Sequence, residues 1–196
     1  MTILRLEILQ ITSIILIFRY LKKVELNKTV KAAVFSATAI GLGFLFMLVP
    51  NVEFITVTVF LSGLTLGAVT GGFVGGSSIM IYSILNPLGS GLAYLPLLVG
   101  QIVSMTGIGF FGALFGNILL KISSKPTIIL SGLIGSFCSL WYDLITTVSF
   151  PLSAGYTFNE IIIYGISGLV FTFMHVLSNA IIFMVVIPRY KEKLHS

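Results

Sequence analysis

Residues 94–120 read YLPLLVGQIVSMTGIGFFGALFGNILL and contain no charged side chain. A helix needs about 20 apolar residues to cross a membrane, because each residue adds about 1.5 Å and the hydrocarbon core is about 30 Å thick. This stretch is long enough, and its glycine, serine and threonine residues are of the kind that lets membrane helices pack closely. It therefore predicts a transmembrane helix.

Apolar runs on either side of this stretch predict the rest of the fold. Proline, glycine and asparagine residues separate several of the runs, as is typical of helix ends. We expect an all-α integral membrane protein built as a bundle of six transmembrane helices, the last of which ends at Pro188. The predicted helices cover residues 30–49, 54–69, 71–85, 94–120, 126–149 and 159–187.

The N-terminal segment 1–22 differs from these runs because it is short and carries charged residues such as Arg5 and Glu7. It predicts an additional amphipathic helix lying at the membrane surface. A cleaved signal peptide fits less well, since basic residues follow the segment where a small-residue cleavage site would be needed. The predicted domains are this helix, a six-helix membrane domain over 23–188 and a basic cytoplasmic tail over 189–196.

The composition agrees with a membrane protein. The chain has 196 residues, of which 57% are hydrophobic and only 9% are charged, against roughly 25% charged residues in soluble domains. Six spans leave no room for a soluble domain of normal size. Cys138 is the only cysteine, which excludes an intramolecular disulfide and a thiolate metal cluster.

The formal charge of +5 is explained by the positions of the basic residues. Lysines and arginines precede the first predicted span, lie between the fourth and fifth, and follow the sixth. The alternate loops 51–53, 86–95 and 150–160 contain none. Six spans place all the basic clusters on one side, which predicts a multi-pass plasma-membrane protein with both termini in the cytoplasm. A nucleic-acid partner is therefore not expected.

Small residues recur at a spacing of four on two predicted helices. Ala33, Ala37 and Gly41 form such a stripe on the first helix, and Gly71 and Gly75 form one on the third. This spacing places the residues on one face and lets another backbone approach closely. Packing inside the bundle is the favoured explanation for the third helix. The first stripe leaves internal packing and an external partner equally open.

Polar and aromatic residues concentrate in the outer half of the last three helices and in the loops above them. Such groups are costly at membrane depth and usually face a cavity or a partner. Aromatic walls with a few hydrogen-bonding groups are typical of a site for a small ligand. The candidate substrate-binding residues are Asn51, Glu53, Asn86, Tyr94, Gln101, Trp141, Asp143, Tyr164, His175 and Asn179.

Several of these candidates also have purely structural explanations. Trp141 and Tyr164 could belong to the aromatic belt at the membrane interface. Asp143 could cap or bridge neighbouring helices. His175 and Asn179 lie one turn apart on one helix, and such a pair more often makes hydrogen bonds between helices than contacts with a ligand.

An enzyme is not indicated. Segment 165–168 reads GISG, like the GxSG string of intramembrane serine proteases, but Ser167 lies eight residues from His175 on the same predicted helix. That is roughly 12 Å along the axis, beyond the reach of a nucleophile and its base. We predict no catalytic residue, no metal site and no cofactor. The chain also lacks a Walker A motif, so any ATP hydrolysis must occur in another subunit.

Several strings resemble the S component of an energy-coupling factor (ECF) vitamin transporter. The resemblance covers residues 31–188 and includes the six short helices, the chain length and the first-helix stripe. Its motifs are a loose pattern of glycines and helix lengths. The strings are PNVEF at 50–54, the glycines Gly63, Gly67, Gly71, Gly72, Gly75 and Gly76, NP at 86–87, WYDLITT at 141–147 and HVLSN at 175–179.

The resemblance implies a substrate-capture subunit that works with a transmembrane coupling subunit and two cytoplasmic ATPases. The face formed by Ala33, Ala37 and Gly41 would meet the coupling subunit. The ligand would be a water-soluble vitamin or precursor, with cobalamin, riboflavin, pantothenate and thiamine precursors all open. A metal ion fits less well because the N-terminal histidine of metal-handling relatives is missing. The competing hypothesis is a membrane scaffold or assembly protein without a ligand.

Overall fold

A computed structural model describes residues 28–88 and 91–195 of the chain. The chain divides into two compact units, Met1–Lys31 and Ala32–Ser196, and the packing described below is that of the second. The predicted amphipathic helix over 1–22 lies outside the described residues.

The described part of the chain is entirely helical and contains no strand. Five of its helices are long and apolar enough to cross a membrane, which confirms the prediction of an all-α protein with membrane-length helices. The helix Ile55–Leu66 is apolar but has only 12 residues. The α-helices are α1 (Lys28–Phe46), α2 (Ile55–Leu66), α3 (Ala68–Leu85), α4 (Leu95–Lys121), α5 (Ser124–Ser153), α6 (Phe158–Ser167) and α7 (Leu169–His195), with a short 3-10 helix at Gly91–Ala93.

The last predicted helix differs from the observed structure in its interior and at its C-terminal end. It is interrupted at Gly168, which separates α6 from α7. The prediction that it ends at Pro188 is wrong, because α7 continues through this proline to His195. Proline removes one backbone hydrogen bond, but membrane helices tolerate the loss where neighbouring groups satisfy the freed carbonyl. Pro151 likewise lies inside α5.

Glycines bring α2, α3 and α4 into backbone contact. A β-carbon at Gly63 or Gly71 would overlap the carbonyl oxygen of Gly109, and one at Gly75 would overlap that of Met105. Close approach of this kind holds membrane helices together where burial of apolar surface supplies little driving force. The third-helix glycines therefore pack inside the bundle. The junction of α2 and α3 falls at Gly67, whose φ of +87° favours glycine.

The small-residue stripe of α1 has a different environment. Ala33, Ala37 and Gly41 are all exposed, and a β-carbon at Gly41 would meet no atom within 4 Å. The opposite face of α1 is covered, since Ala39 and Gly43 are buried. The stripe therefore presents a flat surface of small residues away from the bundle.

Polar contacts join α7 to its neighbours at the basic end of the bundle. The Lys191 ammonium donates to the carbonyl oxygen of Leu119 at 3.0 Å and to that of Ile122. These carbonyls belong to the C-terminal end of α4, where intrahelical partners are lacking. The contact places the lysines of the α4–α5 turn and the basic residues of α7 at the same end of the bundle.

Candidate functional site

The imidazole of His175 lies between two carboxylates. Its Nδ1 atom is 2.8 Å from Oδ1 of Asp143, and its Nε2 atom is 3.6 Å from Oε1 of Glu53. One turn along α7, the side-chain amide of Asn179 donates to the same Glu53 oxygen at 3.1 Å. We call Glu53, Asp143, His175 and Asn179 the acid–histidine cluster.

Three elements bring the cluster together. Asp143 lies on α5, while His175 and Asn179 lie one turn apart on α7 and so share a face. Gly135 lets α5 and α7 approach, because a β-carbon there would be 2.7 Å from the Asn179 carbonyl oxygen. Glu53 belongs to the loop between α1 and α2, which carries it to the side of the imidazole opposite Asp143.

Glu53 is held in position by the start of α2. Its Oε2 atom accepts a hydrogen bond from the Thr56 backbone N–H at 2.9 Å, and a carboxylate at a helix N-terminus also interacts favourably with the helix dipole. Burial alone would raise the pKa of the Glu53 carboxyl, but the adjacent imidazole of His175 and the hydrogen bond from the Thr56 backbone outweigh burial and lower it. Glu53 is thus an anion.

Two hydrogen-bond acceptors of the cluster have no partner. Asp143 Oδ2 and Asn179 Oδ1 are buried and have no hydrogen-bond partner, and Asn179 is fully buried. Both are acceptors. An unsatisfied buried polar atom costs about 1–3 kcal/mol, so the cluster would be more stable with donors supplied from outside it.

A cavity of about 290 Å³ adjoins the cluster. One wall is the loop between α1 and α2 with the end of α1, from Phe46 to Glu53. The other wall includes Tyr82 of α3 and Tyr142, Asp143 and His175. The volume is close to the lower end of pockets for small ligands, about 300–1,000 Å³. The described residues that line it include no lysine or arginine.

The structure brings some of the predicted site residues together. Glu53, Asp143, His175 and Asn179 form the cluster, and Asn51 lines the cavity beside them. Asn51 has a φ of +59°, a left-handed conformation that asparagine tolerates better than most residues. His175 and Asn179 therefore do pair with groups on other elements, and His175 also lines the cavity.

The remaining predicted site residues lie elsewhere. Gln101 accepts a hydrogen bond from Ser83 at 2.7 Å, and Asn86 accepts one from the backbone of Leu88 within its loop. Tyr94 bonds to Ser153 and Phe150. Trp141 donates its indole N–H to the Ser104 carbonyl at 3.1 Å and packs on Gly107, and Tyr164 is 41% exposed beside the Phe150 ring. None of these five lines the cavity.

Two tyrosines that line the cavity were absent from the predicted site. Tyr142 lies 5.9 Å from the His175 ring, centroid to centroid, and its position next to Asp143 in the sequence was the available signal. Tyr82 lies on α3, outside the three helices on which polar residues concentrate. It reaches the cavity because α3 packs against the end of α1, where its ring lies 5.1 Å from that of Phe44.

Ser167 and His175 have different partners in the structure. The Ser167 hydroxyl donates to the Tyr164 carbonyl, and both His175 ring nitrogens face carboxylates rather than a hydroxyl or thiol. Within residues 28–88 and 91–195, no three His, Cys, Asp or Glu side chains are placed to share a metal ion. The arrangement places the carboxylates of Glu53 and Asp143 and the imidazole of His175 at the wall of the cavity.

Comparison with known proteins identifies no relative: no family model, curated protein or solved structure matches this chain.

Proposed function

We propose that this chain is the substrate-capture subunit of an ECF-type ABC importer and binds a small molecule in the cavity beside the acid–histidine cluster. The observation that carries the proposal is the cavity itself. It is bordered by aromatic rings, and the cluster beside it retains buried acceptors without partners. A site that only pinned helices together would be expected to satisfy its own polar groups, because leaving them unpaired costs stability.

The charge pattern supports an outward-facing position for this site. Basic residues gather at the end of the bundle where α4 meets α5 and α7 ends, whereas the cavity lies under the loop between α1 and α2. Positive charge favours the cytoplasmic side. In the proposed topology, the chain crosses the plasma membrane six times with both termini in the cytoplasm, and the cavity opens outside.

Partner subunits are part of the proposal. The described helices carry no nucleotide-binding motif, so a coupling subunit and two cytoplasmic ATPases would supply the energy, as in the family that the sequence resembles. The exposed stripe of Ala33, Ala37 and Gly41 would dock the coupling subunit, since small residues allow a partner helix to approach closely. The substrate would be a water-soluble vitamin or a precursor of one.

Native mass spectrometry of the gently purified chain tests whether it captures a small molecule. We expect a small molecule to co-purify, or to bind after incubation with a panel of vitamins and their precursors. A variant with Glu53→Gln, Asp143→Asn and His175→Leu should lose that ligand. A chain that stays empty with the whole panel would contradict the proposal and favour a scaffold protein without a ligand.

Ala37→Trp separates docking from binding. We expect this variant to bind ligand as the unchanged chain does but to abolish uptake in cells, because the indole would hold the coupling subunit away from the stripe. Leu133→Trp is the control, since it introduces the same indole at another exposed position away from the stripe. Binding assays on the purified chain and uptake assays in cells make the comparison. Loss of binding by Ala37→Trp would contradict a docking role.

A further inference from the structure

The charges of the acid–histidine cluster do not balance. Two carboxylates, Glu53 and Asp143, face one imidazole. Even when the imidazole of His175 carries a proton and forms an ion pair with both, one negative charge remains. Each side chain is largely withdrawn from solvent, with exposures of 24%, 17% and 10% for Glu53, Asp143 and His175. An uncompensated charge in such a place is costly.

No basic side chain of the described helices can supply the missing positive charge. The nearest basic residues along α5 and α7 are Lys125 and Arg189, which lie 18 and 14 residues from Asp143 and His175. At about 1.5 Å per residue these separations are about 27 and 21 Å. Lys191 is moreover engaged by the carbonyls at the end of α4. The compensating positive charge must therefore come from outside the bundle.

Buried acceptor atoms without hydrogen-bond partners also indicate a ligand that carries donors. Asp143 Oδ2 and Asn179 Oδ1 are buried acceptors without a donor. The orientation of the Asn179 amide is set by its N–H group, which donates to Glu53 at 3.1 Å. Asp143 lines the cavity and Asn179 does not, so a ligand there would bring its N–H or O–H donors to the carboxylate of Asp143.

The cavity walls add a preference for a flat cation. Tyr82 and Tyr142 contribute aromatic rings beside the carboxylates, and such rings attract cations as well as planar groups. The cluster is poorly suited to a metal ion, because both ring nitrogens of His175, the atoms that would bind a metal, already face carboxylates. The volume of about 290 Å³ suits a molecule with one ring or a small part of a larger one.

We propose that the cavity selects an organic cation, a flat ring carrying a protonated nitrogen, with Asp143 of the cavity wall as the main counter-ion. This inference rests on the proposed function and specifies its substrate class. The ligand's positive charge compensates the negative charge that the cluster leaves over. Its N–H groups donate to the carboxylate of Asp143 at the cavity wall.

Three probes of nearly equal size and shape test the charge preference. They are benzamidine as a cation, benzamide as a neutral amide and benzoate as an anion. Each is titrated by calorimetry into the full chain in nanodiscs of zwitterionic lipid at neutral pH and constant salt. We expect benzamidine to bind at least about tenfold more tightly than benzamide, because desolvated charge pairs contribute strongly to affinity, and benzoate not to bind.

Two variants test whether the preference for a cation arises in the cavity. Asp143→Asn should weaken benzamidine binding at least about tenfold and leave benzamide binding nearly unchanged. Glu160→Gln is the matched control, because Glu160 is an exposed carboxylate that closes the capping box of α6, and glutamine preserves that box. It should bind benzamidine normally. If Asp143→Asn does not fold, the three-probe series on the unchanged chain still decides the charge preference.

The outcomes separate this inference from the proposed function. Binding of benzoate or benzamide as tight as that of benzamidine, if lost in the Tyr142→Ala variant, overturns the cation assignment and leaves a solute-binding cavity. Equal weakening by Asp143→Asn and Glu160→Gln overturns it too, because the effect would then be one of overall charge. Absence of binding by all three probes overturns the inference and counts against the proposed function as well.

Discussion

Gly109→Ala should strongly destabilise the folded chain, although it adds only one methyl group. A β-carbon at Gly109 would overlap the backbone of Gly71 and Gly72 on α3. Backbone atoms of a helix cannot rotate aside as a flexible side chain can, so the helices must separate. Overpacking a tight core costs about 1–3 kcal/mol, occasionally more, and we expect the upper end of that range. Thermal unfolding and gel filtration in mild detergent measure the effect.

Gly41→Ala is the matched control for this prediction. Both substitutions add one methyl group to a glycine inside a helix, and alanine is favoured over glycine there by about 1 kcal/mol. A β-carbon at Gly41 meets nothing within 4 Å, so this variant should be as stable as the unchanged chain or slightly more so. Equal melting temperatures for the two variants would contradict the backbone contact between α3 and α4.

His175→Leu should produce the second large effect. Leucine keeps apolar bulk beside Tyr142 but leaves Glu53 and Asp143 without the group that faces both of them. Removing one partner from a buried charged pair costs about 3–5 kcal/mol, because the remaining charge is no longer compensated. We expect a correspondingly large fall in the melting temperature of the purified chain.

The triple variant tests the origin of this effect. When Glu53→Gln and Asp143→Asn accompany His175→Leu, no uncompensated charge remains, and replacing a whole buried network can be nearly neutral. Most of the lost stability should therefore return, and the non-additivity of the three changes measures their coupling. A triple variant as unstable as His175→Leu alone would show that the imidazole acts through packing rather than charge. A stable triple variant also serves as the binding-negative control for the cavity.

These predictions separate two roles that the same residues could play. In a scaffold protein, the acid–histidine cluster would only hold α5, α7 and the loop before α2 together. The substitutions would then alter stability alone. In a capture subunit, Asp143→Asn should also change affinity for a cation while the control Glu160→Gln does not. The unpaired acceptor on Asp143, a residue that lines the cavity, favours the second role.

Much of the fold was predictable because crossing a membrane is a local requirement. Whether a run such as 94–120 can span depends on how many consecutive apolar residues it contains, and the observed α4 (Leu95–Lys121) agrees with the prediction within a residue at each end. Helix ends at prolines were less predictable. Pro188 was expected to end a helix and instead lies inside α7, because tertiary surroundings decide whether the missing hydrogen bond can be tolerated.

The site was only partly predictable. The depth of a residue in the membrane can be read from its position along a helix, but the direction in which its side chain points cannot. Trp141 and Asp143 lie at nearly the same depth, yet two residues correspond to about 200° around a helix of 3.6 residues per turn. They therefore face different neighbours. Trp141 packs on α4 at Ser104 and Gly107, whereas Asp143 meets His175.

The amino-acid sequence by itself determined that this is a helical protein with membrane-length spans, that its basic residues are segregated, and that polar groups gather in one region. These properties depend on the count and order of residues. Only the tertiary structure decided that Glu53, Asp143, His175 and Asn179 meet, that Tyr82 joins them, and that the stripe at Ala37 stays exposed. Those outcomes depend on how each helix is rotated about its axis. Contacts such as those between Gly71 and Gly109 set that rotation, and they join residues far apart in the chain.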